Sequence, residues 1–243
     1  SPDIIGISTG ASTGAVFAIV VLSLSGPAVS MVAIAAGLGV ALLIYTLSWR
    51  QGVTGGRLIL IGIGLAAMLQ SITAYLLMRA PSWTLQEALR WLTGSVNGAQ
   101  LDQALPLLVA LLLFGGLLLS RRRDLETLHM GDDLAAGLGV RLAITRVVVV
   151  ITAVALVAFA TAVSGPVAFV AFLSGPIAAR LMGRNGSLLV PAALVGALLV
   201  LFGDYVGQFL LPARYPVGIV TGVLGAPYLV YLIIRDNKTR GTL

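Results

Sequence analysis

The chain has 243 residues, of which 58% are hydrophobic and only 10% are charged, and its mean hydropathy is +1.04. A soluble domain carries about 25% charged residues, so this composition excludes an ordinary water-soluble fold. The net charge is +6 and there is no cysteine, which excludes a disulfide framework and a thiolate metal site.

Long apolar segments follow one another along the chain. A helix that crosses a bilayer needs about 20 apolar residues, and only helices and closed barrels satisfy all backbone groups in lipid. The segments do not alternate apolar and polar residues as barrel strands do, so we predict an all-α polytopic membrane bundle. Its predicted spans are residues 5–25, 28–49, 56–79, 101–120, 141–163, 166–182, 188–208 and 216–235.

Two local patterns modify this division. The sixth span is short and contains Gly175-Pro176, where proline removes a backbone donor, so we predict a kink or an end there. Between the third and fourth spans, residues 82–94 read SWTLQEALRWLTG. Their apolar side chains recur at helical spacing, which predicts a short helix lying at the membrane surface.

The basic residues predict the orientation of the bundle, because cytoplasmic loops are enriched in lysine and arginine. Arg79, Arg90 and Arg214 fall on one side of the predicted bundle. The other side holds twelve: Arg50, Arg57, Arg121, Arg122, Arg123, Arg141, Arg146, Arg180, Arg184, Arg235, Lys238 and Arg240. We therefore predict that residue 1, the 121–141 loop and the C-terminus are cytoplasmic. The basic charge follows from topology, and we predict no nucleic-acid partner.

The 121–141 loop contains HMGDDLAAGLGVRL at residues 129–142, a helix-forming island with two adjacent acids. Apolar side chains recur at helical spacing beside these acids, and Gly137 and Gly139 end the predicted helix. A short helix with an apolar face and a charged rim favours docking on a cytoplasmic partner. A connector lying on the membrane surface remains the alternative.

Signals for chemistry carried by the chain itself are weak. His129 is the only histidine and no cysteine accompanies it, so a solvated loop histidine is favoured over a base or a metal ligand. Asp132 and Asp133 point about 100° apart on a helix, which disfavours a shared proton site. No Gly-Lys-Ser/Thr follows the glycine-rich stretches, so the chain has no phosphate-binding loop. We predict that it binds no cofactor or metal and has no catalytic residue.

Ionisable residues within the spans are almost absent, Asp204 lying near the outer interface. This argues against a transporter driven by protons, which needs an intramembrane relay. The scarcity of ionisable residues fits a transport pathway that is opened by another polypeptide. Gly55 and Gly56 begin the third span, where they serve either as a hinge for a cytoplasmic gate or as small residues for helix packing.

Several stretches, in order, resemble the FecCD family, the permease subunits of type II ABC importers for iron–siderophore complexes, haem and cobalamin. They are PDIIGISTGAS at 2–12, LGV at 138–140, SGPVAFVAFLSGPIAAR at 164–180, LVPAALVGALLVLFGD at 189–204 and YPVGIVTGVLGAPYLVYLI at 215–233. The family has ten spans, with PDIIGIS after the second. The resemblance therefore implies one permease domain over residues 1–243 that lacks its first two helices, in agreement with the missing initiator methionine.

The resemblance also implies the partners. The island corresponds to the family's coupling helix, which sits in a cleft of an ATPase subunit that binds ATP and Mg. We assign this coupling to Leu128, Gly131, Asp132, Asp133, Leu134, Ala135, Leu138 and Gly139. The other implied partners are an extracytoplasmic substrate-binding protein, a second permease copy or homologue, and membrane lipids.

The chain departs from the family pattern at three places. Pro-His-Ile-Ala-Arg becomes Pro176-Ile177-Ala178-Ala179-Arg180, Glu-Leu-Pro becomes Arg214-Tyr215-Pro216, and Asp-x-x-x-Arg becomes Asp204…Gln208. In relatives, outward arginines pair with glutamates of the binding protein, which Gln208 cannot do. We therefore expect Arg79, Arg90 and Arg214 to contact the binding protein.

The predicted function is that of a permease subunit of an ATP-driven importer of an iron–siderophore complex, located in the bacterial cytoplasmic membrane. Haem and cobalamin are the alternative cargoes. A lipid-modifying membrane enzyme and an uncoupled channel are the alternatives from other classes.

Overall fold

The computed structural model describes residues 6–48, 55–99, 101–128, 130–183 and 186–240, and within these ranges every regular element is a helix. The all-α fold predicted from composition is confirmed. The α-helices are α1 (Ile7–Val20), α2 (Pro27–Ser48), α3 (Gly55–Arg79), α4 (Ser82–Thr93), α5 (Leu101–Ala110), α6 (Gly116–Ser120), α7 (Arg122–Leu128), α8 (Asp132–Gly137), α9 (Leu142–Ser164), α10 (Val170–Met182), α11 (Leu189–Tyr205) and α12 (Val217–Arg240). Two π-helical turns, π1 (Leu111–Gly115) and π2 (Val206–Leu210), follow α5 and α11.

Helices occupy all eight predicted spans, but they differ in length. Among the described residues, four are long and apolar enough to cross a membrane: Pro27–Ser48, Ile59–Arg79, Leu142–Ser164 and Leu189–Leu210. A fifth results if Ala104–Ser120 and Arg122–Leu128 are joined across their 51° bend. In the other three predicted spans, the described apolar helical segments are shorter: Ile7–Val20, Val170–Met182 and Val217–Val230. A 14-residue helix such as α1 rises only about 21 Å, less than the ~30 Å hydrocarbon thickness.

The helix end predicted at Gly175-Pro176 is wrong, because α10 continues through Pro176. The kink, given as the other possibility, stays a prediction. Proline removes one backbone hydrogen bond, and membrane helices tolerate this loss when their surroundings satisfy the freed carbonyl. The helix is short for a different reason. Phe169, with φ 64°, and Gly183, with φ 71°, stand at its two ends in backbone conformations that helices do not contain.

The chain divides into two compact units. Unit 1 comprises Ser1–Leu92 and Gly98–Gly165, and unit 2 comprises Thr93–Asn97 and Pro166–Leu243. In unit 1, α1 packs against α2, α3 and α9, and it is buried over most of its surface. Small residues make this possible, since they let helix backbones approach closely in membranes. Gly14 is one of them: a Cβ there would overlap the Cβ of Ala36 on α2.

Hydrogen bonds tie the helices of unit 1 together in addition to this packing. The hydroxyl oxygens of Thr13 on α1 and Thr73 on α3 lie 2.9 Å apart. The hydroxyl of Ser30 on α2 donates to the carbonyl of Ala162 on α9 at 2.6 Å. Each hydroxyl is thus satisfied within the apolar bundle, where an unpaired one would be costly.

The helix predicted over residues 82–94 is confirmed as α4. Its inner face contacts protein: Ala88 is fully buried in the core of unit 1, and Trp91 and Leu92 pack against that core. Trp83 and Leu89 are exposed. The amphipathic pattern therefore reflects packing on the helices of unit 1. The position of α4 at the membrane surface stays a prediction.

In unit 2, α10 and α12 both pack against α11. Gly225 on α12 allows α10 to begin where it does, because a Cβ at this position would lie 2.6 Å from the Cβ of Phe169. The amide of Gly218 donates to the carbonyl of Gly94 at 3.2 Å, so the short segment Thr93–Asn97 is held by the start of α12.

Candidate functional site

The predicted coupling loop begins with a sharp turn. The fourth span ends at Ser120, and α7 leaves it at 51° across Arg121. The Arg121 guanidinium lies 3.2 Å from the Asp124 carboxylate. This ion pair closes the turn at the point where the chain leaves the span.

Glycines define both ends of α8. Gly131 precedes the helix with φ 107° and ψ 155°, a region that residues with a Cβ essentially do not occupy. At the other end, Gly139 has φ 86°, its amide donates to Ala136 and the amide of Val140 donates to Ala135, both at 3.0 Å. This is a Schellman motif, which satisfies carbonyls that a helix end leaves free.

The apolar residues assigned to coupling take up two different positions. Ala135 is fully buried and Leu128 is half-buried. Leu134 and Leu138 are 61% and 67% exposed, and they lie four residues apart. The exposed Met130, which the sequence pattern did not single out, adds to this apolar surface. The loop therefore presents an outward patch of Met130, Leu134 and Leu138, which we call the loop patch.

The two acids of the island also differ. One nitrogen of Arg146 on α9, Nη2, donates to both carboxylate oxygens of Asp132, at 2.6 and 2.7 Å. Asp133 is exposed beside the loop patch, and none of the described contacts pairs it with a cation. Both carboxylates lie in the first turn of α8, where the helix dipole favours negative charge.

A second contact links the loop to α9. The hydroxyl of Thr145 donates to the Asp124 carboxylate at 3.3 Å, and Thr145 is buried. The sequence could not reveal this contact or the Asp132–Arg146 pair, since the partners are 21 and 14 residues apart. Spacing rules reach only three or four residues along a helix.

A polar cleft of about 320 Å³ lies between the start of α7 and the start of α9. It is lined by Arg121, Asp124, Leu138, Gly139, Val140, Arg141 and Ile144. The cleft thus adjoins the loop patch through Leu138, so a bound partner could contact both.

The residues predicted to face the binding protein are all exposed. Arg79 ends α3, with its guanidinium 5.2 Å from the centre of the Tyr75 ring, and Arg90 lies in the last turn of α4. Both positions place a cation at a helix C-terminus, which the helix dipole favours. Arg214 belongs to unit 2, in the segment between π2 and α12.

Gln208, six residues before Arg214, stands where the family's Asp-x-x-x-Arg pattern has arginine. It contacts Asp204, the acid of that pattern. Its Nε2 donates to Oδ2 of Asp204 at 2.7 Å, while the other carboxylate oxygen is buried without a partner among the described residues. The amide therefore occupies the place expected of an arginine, but brings no charge. The contact spans the junction of α11 and π2.

The remaining predicted positions are less informative. Gly55 and Gly56 form the start of α3, and a Cβ on Gly56 would meet no atom within 4 Å. Gly56 is therefore not required for close packing within the described chain, which leaves the hinge prediction open. His129 lies outside the described residues.

A comparison with known families identifies the chain. The profile of the FecCD transport family matches residues 1–235. The chain belongs to this family.

Three similar proteins are named as permeases of transport or import systems. The ferric enterobactin permease FepG of Escherichia coli is 39% identical over 244 residues, which is 99% of this chain and 73% of FepG. The achromobactin permease CbrC of Dickeya dadantii is 39% identical over 98% of this chain and 69% of its own length. The iron(3+)-hydroxamate permease FhuG of Bacillus subtilis is 35% identical over 97% of this chain and 73% of FhuG.

The fold agrees with a FecCD assignment. A solved structure of a metal-chelate type ABC transporter in an inward-facing conformation superposes with a TM-score of 0.88 and 31% identity. The match covers 95% of this chain and 75% of that chain. The chain is thus a multi-pass membrane protein and a transport permease subunit, and the alternative of a membrane enzyme is excluded. An ABC permease works with ATPase and substrate-binding subunits, which are its partner classes.

Proposed function

We propose that the chain is the permease of an importer that moves a ferric siderophore complex across the bacterial cytoplasmic membrane, driven by ATP hydrolysis in a partner subunit. The FecCD match over residues 1–235 carries this proposal. Three relatives are named for ferric enterobactin, achromobactin and ferric hydroxamate, which differ chemically but are all siderophore systems. Haem and cobalamin stay as alternative cargoes.

The cargo is tested by uptake of radiolabelled iron in cells that depend on this permease. A catecholate, a hydroxamate and a carboxylate ferric siderophore are supplied in turn, with haem and cobalamin as competitors. We expect uptake of one siderophore class and no competition by the other two compounds. Uptake of labelled haem or cobalamin, with no uptake of any ferric siderophore, would contradict the proposal.

The proposed contact with the ATPase is the loop patch together with Asp133. Exposed leucine and methionine side chains lie beside the Asp133 carboxylate, which no described residue pairs with a cation. These features suit a partner cleft with an apolar floor and a basic rim. The 121–141 loop is proposed to lie in the cytoplasm, where such an ATPase binds. The side of the predicted bundle that contains this loop has twelve basic residues and the opposite side has three, which supports this orientation.

Replacing Leu134→Ser together with Leu138→Ser tests this contact. Burying a leucine contributes about 1.5–3 kcal/mol, so we expect the ATPase to bind at least about tenfold more weakly. Binding is measured as the amount of ATPase that co-purifies with the permease in detergent. Leu181→Ser with Met182→Ser is the matched control, since these adjacent side chains on α10 are 73% and 60% exposed. Equal co-purification with both double variants would reject the loop patch as the docking site.

The outer face is proposed to receive the substrate-binding protein through three exposed residues, Arg79, Arg90 and Arg214. Glutamates of the binding protein are the matching partners, since guanidinium and carboxylate pair in a fork geometry. A second permease copy or homologue is proposed to complete the pathway. Gly55 and Gly56, at the start of α3, are proposed to flex as its cytoplasmic gate opens.

A further inference from the structure

Two adjacent residues in the first turns of α9 hold both small helices of the coupling loop. Arg146 contacts Asp132 of α8 through two oxygens at 2.6 and 2.7 Å. Thr145 contacts Asp124, in α7, at 3.3 Å. Adjacent residues on a helix point about 100° apart, so one short stretch of α9 reaches α7 on one side and α8 on the other.

The attachment of α8 to α9 differs from its attachment to the span that precedes it. Toward α6, α8 packs against α7, which packs against α6. The ion pair at that end joins Arg121 to Asp124 within the turn itself. Toward α9, a charged contact crosses directly from Asp132 to Arg146. A force applied to α8 therefore acts on α9 directly, without passing through the bend at Arg121.

The far part of α9 lies in the core of unit 1. Its Ala162 carbonyl accepts the 2.6 Å hydrogen bond from Ser30 on α2, and α9 packs along α1 and α2. A displacement of the start of α9 is consequently a displacement of a helix that two other helices contact. A single helix, α9, thus connects the loop to the core of unit 1.

We infer that Arg146 is a positioning residue that couples α8 to α9, so that ATPase motion delivered to the loop moves this helix. The inference rests on the proposed docking of an ATPase on α8. Docking would also exclude water from the Asp132–Arg146 pair, and attraction between opposite charges strengthens as the surrounding dielectric falls.

The Asp132–Arg146 pair is suited to a test because we expect its loss to change the stability of the fold only slightly. Its side chains are 45% and 51% exposed, and exposed ion pairs contribute little to stability. Both hydrogen bonds come from one nitrogen, so a lysine ammonium can replace the guanidinium. Arg146→Gln should break the coupling, and Arg146→Lys should keep it.

The experiment uses the complete transporter, with ATPase and binding protein, in proteoliposomes. The variants are Arg146→Gln, Arg146→Lys, Asp132→Asn and the Arg146→Gln/Asp132→Asn double variant. The matched control is Arg122→Gln, since Arg122 is an exposed guanidinium of the same loop for which no ion pair is found among the described residues. The quantity measured is cargo transported per ATP hydrolysed, together with ATPase co-purification and thermal unfolding of each variant.

We expect Arg146→Gln to lower transport per ATP by about threefold to tenfold, the range of coupling changes along such elements. Arg146→Lys and Arg122→Gln should match the parent. Because Asp132 and Arg146 act as a unit, the double variant should lose no more than the worse single variant. ATPase binding and unfolding temperature should not change in Arg146→Gln, Arg146→Lys and Arg122→Gln.

Three results would overturn the inference: an unchanged ratio in Arg146→Gln, losses that add in the double variant, or a ratio that falls only together with ATPase binding or thermal stability. If instead the proposed docking of an ATPase on the loop were wrong, the results would differ from these three. That failure would show as no ATPase co-purifying with the parent permease, or as undiminished co-purification after the Leu134 and Leu138 substitutions.

Discussion

Gly131 holds the backbone conformation on which the start of α8 depends. With φ 107° and ψ 155°, it lies where a Cβ would clash with the residue's own backbone. No other atom approaches the position of that Cβ within 4 Å, so the requirement for glycine is conformational and not due to crowding. Gly137, in the same helix, has equally open surroundings but no positive φ.

The difference between Gly131 and Gly137 leads to a prediction for single substitutions. Gly131→Ala should strain the chain by about 1–3 kcal/mol and displace α8. Gly137→Ala should be neutral or stabilising, by up to about 1 kcal/mol, because alanine favours helix. We expect ATPase co-purification to fall only in the first variant. Equal co-purification would show that the Gly131 conformation is not needed for docking.

At the scale of elements, close helix approach organises unit 1. Along α1, small residues face α2 and α3, so the backbones of these helices come near each other. Lipid is as apolar as leucine side chains, so packing of this kind, and not the hydrophobic effect, stabilises a helix pair in a membrane. Gly14 against Ala36 is one such contact.

Enlarging Gly14 should therefore separate α1 from α2. Gly14→Leu would overfill the contact, and overpacking costs typically about 1–3 kcal/mol. Thermal unfolding in detergent should shift to lower temperature by several degrees. Gly39→Leu on α2 is the control, since a Cβ there meets no atom within 4 Å. A Gly14 variant as stable as the control would mean that the close approach does not stabilise unit 1.

At the scale of the whole molecule, the distribution of charge supports one orientation in the membrane. The chain lacks cysteine, so an introduced thiol is unique within it. In sealed right-side-out vesicles, an impermeant thiol reagent should label Trp83→Cys on the outside. It should label Arg122→Cys only after the vesicles are opened. The reverse labelling pattern would place the loop patch outside and contradict docking of an ATPase there.

Properties of the whole chain were predictable because they depend on many residues. Continuous apolar segments predicted helices, and all eight segments are helical. The island helix and its glycine end were predictable because helix ends have local signals, and Gly139 has the positive φ that such an end requires. What could not be predicted depends on contacts distant in sequence. The pairing of Asp132 with Arg146 crosses 14 residues.

The sequence also did not predict the irregular backbone within and at the ends of helices. Proline predicted a kink or an end at residue 176, yet α10 continues through Pro176 and ends at Met182, just before Gly183. Phe169 adopts a left-handed conformation that phenylalanine by itself disfavours, because the packing against Gly225 is available to it. Such outcomes are decided by neighbours that a sequence pattern does not contain.

The π-helical turn π1 changes the direction in which side chains of the fourth span point. A π-turn holds one residue more than an α-turn, so every side chain after Gly115 is rotated by about 100° from where a regular helix would point it. A helical wheel drawn through Leu101–Ser120 therefore assigns the wrong faces to its last turn. Removing a single residue from π1 would turn α6 back by that angle and swing the entire 121–141 loop around the span's axis.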